Sequence, residues 1–360
     1  TAMSKETSEW LNQNCLIGYT SKRGTAWHYK ESSQGDEPNH YPEAIPVEDV
    51  ERRLFYWDAH SYPVTITVPC GVLDPDIDGL DPTLGTPIKH VRLGDYQAIG
   101  RDDTDEVFKV FKSGYQIHQY REWLLGSVAN LIDDNLAIGS AGLLQNGGSA
   151  WVSIELPDNI ETPSGFTIRP SLVAATSHNG TLATSFKLTS VAVVCDNTLH
   201  WGLSGQGQMF KARHSKHSGF KLQTAREALD LVHVAGDDVV TAIDQLSNVT
   251  ISDLQFERIV NKLVPLPSLA TSNQAGVTRA ENKQDKLRTL WTSDHRVKPW
   301  KNTALGVVQA TNTFNHHYLG TDKRRAERNM LNALNGRTMQ DDMDVIEIMR
   351  DMVGSDVLVG

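Results

Sequence analysis

The chain has 360 residues, with 34 Lys and Arg against 44 Asp and Glu, so its formal net charge is −10. A chain of this length and ordinary globular composition can bury a core and has room for more than one domain. No stretch approaches the roughly 18 apolar residues of a membrane-spanning helix. The three cysteines lie far apart, without the spacing of a zinc ribbon or a disulfide framework. We therefore expect a cytoplasmic protein with reduced thiols.

The N-terminal region, residues 1–104, is predicted to be acidic and rich in loops. Residues 1–110 contain 19 acidic and 10 basic residues, so most of the excess negative charge lies here. Pro, Gly and Asp are frequent between residues 18 and 100, and Tyr62–Val68 alternates as a strand does. We expect short strands joined by long loops.

Residues 105–264 are predicted to form an α+β core. Apolar residues recur near helical spacing from residue 105 to residue 134, which predicts a helix. The period then changes to two in four runs, at residues 136–144, 149–156, 166–177 and 182–195. Asn146-Gly147 and Asn179-Gly180 separate two neighbouring pairs of runs, and Asn-Gly favours hairpin turns because both turn positions need positive φ. The pattern predicts a four-strand antiparallel meander.

Helices are predicted after the meander. Capping-box sequences at Thr224–Glu227 and Ser252–Gln255 each predict a helix start, and Pro265 and Pro267 predict the end of the second helix. The segment 268–283 is polar and is predicted to be a linker. Further helices are predicted at about 303–318, 322–334 and 339–353.

The predicted fold class is therefore α+β. A helix precedes a four-strand antiparallel meander and a basic helix. The loop-rich N-terminal region comprises residues 1–104, the core residues 105–264, and the polar linker with the helical C-terminal region residues 265–360.

The segment 197–226 contains no Asp or Glu. Its cations are Lys211, Arg213, Lys216, Lys221 and Arg226, and His200, His214 and His217 lie among them. One interpretation is a solvated basic loop. The other is an anion site for a polyphosphate backbone, because Lys and Arg release condensed counterions when they bind one.

Two further basic clusters lie near the C-terminus. The first comprises Arg279, Lys283, Lys286, Arg288, Arg296, Lys298 and Lys301, with Trp291 and Trp300 among them, and the second comprises Lys323, Arg324, Arg325 and Arg328. Cations beside aromatic side chains suit single-stranded nucleic acid, since bases stack on the rings while cations contact phosphates. Tryptophans in a mixed sequence are nevertheless more often part of a core or an interface than a stacking platform.

The motifs of common enzyme sites do not occur in the sequence. We find no phosphate-binding GxxxxGK[ST] loop, no GxGxxG, no GxSxG and no HExxH. The histidines lack partners at metal-ligand spacing. We therefore predict no cofactor, no metal and no catalytic residue, and a protein that is not an enzyme. A metal-dependent nuclease or another enzyme remains an alternative.

Four segments resemble, in order, those of one family. They are Gly147–Val152, Ser177–Thr181, Val193–Leu199 and Phe210–Ser215, with Gly24–His28 and Trp300–Tyr318 as weaker matches. The family is domain-of-unknown-function family 932, a phage/plasmid-like group carried by phages, prophages and conjugative plasmids. Asn179 and Ala192 depart from its usual Asp and Arg. The resemblance implies phage or mobile-element biology, within an infected bacterial host.

The order of helix, meander and basic helix also resembles phage single-strand annealing proteins, which pair complementary DNA strands in recombination without nucleotide and assemble as rings or filaments. This resemblance implies a homo-oligomer that binds and anneals single-stranded DNA. The predicted DNA contacts are Trp151, Arg169, Lys187, Trp201, Lys211, Arg213, His214, Lys216, Lys221 and Arg226. The alternative is a phage structural or host-interaction protein that binds a host protein and has no nucleic-acid activity.

Overall fold

The computed structural model describes residues 11–25, 31–74, 76–129, 137–156, 158–192, 197–199, 209–212, 237, 239–267, 274–320 and 325–353. Its strands are β1 (Cys15–Ile17), β2 (Ala59–Pro69), β3 (Gly79–Leu80), β4 (Pro87–Arg101), β5 (Val107–Lys112), β6 (Ala137–Leu144), β7 (Ser149–Glu155), β8 (Ile160–Glu161), β9 (Thr167–Ser177), β10 (Thr184–Ala192), β11 (Asn197–Leu199) and β12 (Met209–Ala212). Its helices are α1 (Thr20–Arg23), α2 (Val47–Leu54), α3 (Gly126–Ala129), α4 (239–248), α5 (Asp253–Leu263), α6 (Gln274–Ser293), α7 (Ala304–His317), α8 (Arg325–Asn335) and α9 (Arg337–Val353). The α+β fold class is confirmed.

The predicted meander forms the centre of the larger antiparallel sheet. Its order is β1-β6-β7-β9-β10-β11, with β8 paired to β9 and β12 paired to β10. The β6–β7 turn has positive φ at Asn146 and Gly147, and the β9–β10 turn has positive φ at Gly180. Asn146 and the two glycines tolerate this backbone conformation, whereas Asn179 does not adopt the positive φ that the sequence pattern predicts.

The two faces of this sheet differ in polarity because side chains alternate along each strand. On one face, Val152, Ile154 and Leu172 pack against Leu124 and Val128 of the preceding helical segment. The opposite face is mixed. There Trp151 and Ala175 pack against Leu334 of α8, and this face also carries charged side chains.

A second antiparallel sheet contains a long two-stranded ribbon, β2 and β4, to which β3 and β5 add. We call residues 59–101 the arm, and residues 70–86, which join β2 to β4, the arm tip. The expected short strands with long loops are wrong here, because β2 spans 11 residues and β4 spans 15. Pro63 and Pro69 lie in β2, at the edge of the sheet, where a missing backbone donor is tolerated.

The helix predicted from residue 105 begins instead as a strand. Val107–Lys112 forms β5 and pairs with β4, so pairing to a neighbouring strand overrides the helical spacing. Helical structure begins only later: a π-helical segment, Arg121–Leu125, leads into α3.

The C-terminal helices largely follow the sequence predictions. The Ser252–Gln255 capping box is present at the start of α5, and α5 ends at Leu263, before Pro265. Helix α7 begins after its N-cap Thr303 and ends at His317. The predicted linker is wrong from residue 274 onward, where the 20-residue helix α6 begins. The predicted basic helix and the Thr224 capping box lie outside the described residues.

The predicted region boundaries fall between elements that pair or pack together. Strand β5 follows the boundary at residue 104 and pairs with β4, which precedes it. Helix α5 precedes the boundary at residue 264, and its Phe256 and Ile259 share one core with Leu290 of α6. In the described part of the chain, no helix is both long and apolar enough to cross a membrane.

Candidate functional site

Cations from the two C-terminal basic clusters lie near the end of α7. The Lys286 Nζ lies 3.7 Å from the centroid of the Tyr318 ring, and the Lys283 Nζ lies 5.3 Å from the centroid of the Phe314 ring. Arg328 of α8 donates to the backbone carbonyl of Leu319 at 2.5 Å. We call these side chains, Lys283, Lys286, Phe314, Tyr318, Leu319 and Arg328, the Tyr318 patch.

Local sequence rules position the patch. Lys283 and Lys286 are three residues apart on α6 and so share one side of that helix. Leu287, Leu290 and Trp291 are buried in the helical core and anchor α6 there. Tyr318 is the C-cap of α7, so its ring stands where that helix ends, with 39% of its surface exposed.

The cations of the patch are not neutralised by nearby acids. Among the described residues, no carboxylate lies within 4 Å of Lys283, Lys286 or Arg328. Burial lowers the pKa of Lys283, and the carboxylate of Asp341 opposes that change. Burial also lowers the pKa of Arg328, and the charge of Arg325 adds to that effect. A partly desolvated cation without a carboxylate partner favours an anion beside it.

The neighbouring Arg296 differs because it is already paired. Its Nε and Nη2 donate to the two carboxylate oxygens of Asp294 at 2.8 and 2.7 Å. This pairing raises the pKa of Arg296 and lowers that of Asp294. A bidentate pair of this kind leaves little charge for a ligand.

A second polar cluster lies at the two Asn-Gly turns of the main sheet. The Asn179 Nδ2 donates to Gln145 Oε1 at 2.5 Å, and the Ser149 and Thr181 hydroxyls are 2.9 Å apart. We call these four side chains the turn cluster. Two phenols hold the turns in place: the buried Tyr120 donates to the carbonyl of Gly147, and the half-buried Tyr115 donates to that of Ser177.

Aromatic rings enclose His178, which precedes the second turn. The Tyr120 ring stacks on its imidazole with centroids 4.0 Å apart, and the edge of the imidazole contacts Trp57. The guanidinium of Arg101 lies 4.1 Å from the centroid of the Trp57 ring. Burial raises the pKa of both Tyr115 and Tyr120, so these phenols remain protonated donors. The cluster has the features of a rigid support for the two turns.

The family comparison covers both clusters. The family described as "domain of unknown function (DUF932)" matches residues 107–335, more than half of the chain. The chain belongs to this family. The matched residues of the DUF932 chain include the turn cluster, and they extend through the Tyr318 patch. Comparisons with curated proteins and with solved structures found no match.

Three predicted DNA contacts of this DUF932 protein are buried, which corrects their assignment. Trp151, Arg169 and Lys187 are exposed by only 1%, 2% and 8%, and all three lie on the mixed face of the main sheet. The Trp151 ring occupies the space left by Gly142, where a Cβ atom would overlap the ring. The Lys187 ammonium donates to the backbone carbonyl of Leu334. Strand alternation in the sequence does not reveal which face a later helix covers.

Arg169 belongs to a buried polar group. Its Nη1 lies 3.7 Å from Glu155 Oε2, and its Nε and Nη2 donate to Asn159 Oδ1 at 2.9 and 2.5 Å. The carboxylate of Glu155 fits only because residue 139 is glycine. The guanidinium also lies 5.6 Å from the centroid of the Tyr19 ring. These contacts give Arg169 a structural role within the sheet.

The other predicted contacts belong to the acid-free segment. Lys211 lies in β12, where its backbone pairs opposite Ser185 of β10. The remaining six, Trp201, Arg213, His214, Lys216, Lys221 and Arg226, lie outside the described residues. Both described parts of the segment, β11 and β12, pair with β10, so the structure attaches the segment to the main sheet.

Sequence reasoning did not assign the Tyr318 patch as a site. The sequence does carry a signal for it, because cations near aromatic residues in the C-terminal region suit nucleic acid. Of the tryptophans in that region, Trp291 is buried at 2% exposure, and the ring that lies beside Lys286 is instead that of Tyr318. Among the described residues, no group of three or more His, Cys, Asp or Glu side chains could hold a metal ion.

Proposed function

We propose that this protein binds single-stranded DNA and anneals complementary strands, as a non-catalytic recombination protein of a phage. The observation that carries the proposal is the Tyr318 patch. There, in the described part of the chain, Lys286 lies over the partly exposed Tyr318 ring, with Lys283 beside the Phe314 ring and Arg328 at the carbonyl of Leu319. Within the described residues, none of the three cations has a carboxylate within 4 Å. Single-stranded DNA supplies both missing partners, a phosphate for the cations and a base for the ring.

The electrostatics of the patch support an extended polyanion. Lys286 is held near a ring that a base could stack on, while Lys283 and Arg328 flank it. Each phosphate contact releases counterions, so affinity should decrease steeply as the salt concentration rises. Stacking on the tyrosine is indifferent to sequence, which suits a protein that must accept any strand.

The acid-free segment supports a second contact region. Its strand β12 lies beside β10, and the segment carries five cations between residues 211 and 226 without an acidic residue. In the proposal, these cations and the patch hold one strand extended. Its base edges then face a second strand, and pairing needs neither nucleotide nor a catalytic residue.

The test follows the pairing of two complementary fluorescent oligonucleotides by energy transfer, without nucleotide, at low and moderate salt. Lys283→Glu with Lys286→Glu should slow pairing and lower single-strand affinity at least tenfold. The matched control is Arg258→Glu with Lys262→Glu, which makes the same charge change on exposed positions of α5. Lys211→Glu with Arg213→Glu tests the acid-free segment in the same assay.

Accelerated pairing that decreases with salt, and that the patch variant loses while the α5 control keeps, would support the proposal. No pairing and no single-strand binding by the wild type at low salt would refute it. Equal losses in the patch variant and the control would show that net charge alone, and not the patch, determines the binding.

One observation favours the alternative of a phage structural or host-interaction protein. The arm tip exposes a group of aliphatic side chains, and Leu73 is 97% exposed. Clustered exposed aliphatic residues usually mark a protein contact. A protein that captures a defined host protein, and that fails to bind oligonucleotides at low salt, would fit this alternative instead.

A further inference from the structure

The arm tip combines exposed aliphatic side chains with acidic ones. Residues 70–86 contain four Asp and no Lys or Arg. Lys89 neutralises Asp74 at 2.7 Å, whereas Asp76, Asp78 and Asp81 have no Lys or Arg within 4 Å in the described structure. The exposed aliphatic residues of the tip are Val72, Leu73, Ile77, Leu80 and Leu84.

Internal hydrogen bonds give the tip a defined shape. Asp81 accepts from the backbone nitrogens of Thr83 and Leu84 at 2.7 and 2.8 Å, and Asp78 accepts from that of His90. Strand β3 pairs with the start of β4. The aliphatic side chains are therefore presented by an ordered turn, at little further entropic cost on binding.

The Tyr318 patch complements the tip in charge and in polarity. In the described structure, three cations of the patch have no carboxylate within 4 Å, and three carboxylates of the tip have no Lys or Arg within 4 Å. Tyr318 and Leu319 are each more than one third exposed and provide an apolar surface beside Lys286 and Arg328. Opposite charges around an apolar centre are the arrangement of specific protein interfaces.

We infer that the arm tip of one copy docks on the Tyr318 patch of a second copy. The tip does not lie on the patch of its own chain, since Leu73 is almost fully exposed. A contact between two different surfaces is head-to-tail, so it repeats from copy to copy and builds a ring or an open filament. The inference rests on the proposed function in that it names what occupies the same patch when DNA is absent.

Competition with DNA follows from the shared cations. A phosphate and an Asp of the tip compete for the single positive charge of Lys286, so a bound tip lowers the apparent affinity for DNA. Weakening the tip should increase the affinity of the wild-type patch for a short oligonucleotide severalfold. Single-stranded DNA should in turn release copies from one another.

The experiment measures self-association of the full-length protein by sedimentation velocity over a range of concentrations. Two single variants, Asp76→Lys and Leu73→Ser, should each weaken association at least fivefold, and Lys286→Glu should do the same. Combining Asp76→Lys with Lys286→Glu restores opposite charges and should recover association. The control is Asp105→Lys, which changes an exposed acidic residue in the β4–β5 turn and should leave association unchanged.

A wild type that stays monomeric at all concentrations overturns the inference. The inference is also overturned if Asp105→Lys weakens association as much as Asp76→Lys does. It is overturned as well if the double variant Asp76→Lys with Lys286→Glu fails to recover association. Failure of the proposed function is seen separately, in oligonucleotide binding. If association depends on Asp76 and Lys286 but the protein does not bind DNA, the proposed function is refuted and the docking of the arm tip is supported. If a strictly monomeric protein binds DNA, the docking is refuted and the proposed function is supported.

Discussion

The ammonium of Lys286 lies 3.7 Å from the centroid of the Tyr318 ring, where α6 passes the end of α7. A cation over an aromatic face is held by the quadrupole of the ring and costs less to position than a freely moving lysine. The pair therefore presents charge and a stacking surface together. Neither residue has a carboxylate partner in the described structure that would have to be displaced first.

We predict that Tyr318→Ala lowers single-strand affinity by about 1–3 kcal/mol, the usual contribution of one stacked base. Tyr318→Phe keeps the ring and should bind nearly as well as the wild type. Fluorescence anisotropy with a labelled oligonucleotide measures both. The control is Tyr96→Ala, since Tyr96 is a similarly exposed tyrosine on the arm. An equal loss in the Tyr96 variant would contradict a specific role for Tyr318.

We predict that Lys286→Gln reduces the dependence of binding on salt. Each phosphate contact contributes about 0.7 to the slope of log affinity against log salt for a single strand. Removing one contact should lower the slope by about that amount. Titrations at four salt concentrations measure it, with Lys262→Gln on α5 as the control. An unchanged slope would mean that Lys286 contacts no phosphate.

Breaking the Arg169–Glu155 pair should destabilise the protein without removing a DNA contact. Arg169→Leu removes the cation beside the buried carboxylate of Glu155, and loss of one partner of a buried ion pair costs about 3–5 kcal/mol. The double variant Arg169→Leu with Glu155→Leu should lose less free energy of unfolding than the two single variants lose together. Chemical denaturation measures these free energies, and Lys22→Ala, in an exposed pair with Asp158, should cost less than about 1 kcal/mol. A folded double variant that cannot bind DNA would show that Arg169 does contact it.

Gly142→Ala should destabilise the sheet because the added methyl group overlaps the Trp151 ring. Overpacking of a well-filled core costs about 1–3 kcal/mol. Trp151→Phe in the same chain should recover part of that loss. Gly94→Ala is the matched control, since nothing lies within 4 Å of a Cβ at that position. Equal effects at both glycines would attribute the loss to strand conformation and not to the ring.

The stability of the protein should decrease at mildly acidic pH because of His316. Burial, with smaller contributions from the charges of His317 and Arg328, lowers its pKa from 6.5 to about 4. Between these values the unfolded chain binds a proton and the folded chain does not. The free energy of unfolding is therefore highest, as far as His316 is concerned, above pH 6.5, and it decreases as the pH falls to about 4.

The expected loss between pH 6.5 and pH 5 is about 2 kcal/mol, at about 1.4 kcal/mol per pH unit. Denaturation at both pH values measures it in the wild type and in His316→Gln, which should lack this part of the dependence. The control variant His295→Gln, which changes an exposed histidine, should retain the pH dependence. A wild type whose stability is the same at both pH values would rule out a neutral, buried His316.

Local signals in the sequence were sufficient for several elements. The Ser252 capping box sets the start of α5, because its hydroxyl and the Gln255 side chain satisfy two backbone donors within four residues. Asn146, Gly147 and Gly180 place the meander turns for an equally local reason, since each adopts a positive φ that Asn and Gly tolerate. The bounds of α7 likewise follow from Thr303 at one end and the loss of helical pattern at the other.

Other features depend on contacts between distant residues. Val107–Lys112 has helical spacing, yet it forms a strand because β4 offers unpaired backbone groups beside it. Trp151, Arg169 and Lys187 share the predicted alternation, but only the packing of other elements, such as α8 against Trp151, determines that they are buried. Local pattern carries no information on which face another element will cover.

By itself, the sequence determined the α+β class, the meander, most C-terminal helices and the positions of the basic clusters, since each depends on neighbours within a few residues. The tertiary structure alone decided which cations have no carboxylate partner in the described part of the chain. Lys283, Lys286 and Arg328 lie up to 45 residues apart in the chain, and helix packing brings them to Phe314, Tyr318 and Leu319 at the end of α7. Whether a charge is neutralised or left for a ligand depends on distances in space, which no spacing along the chain specifies.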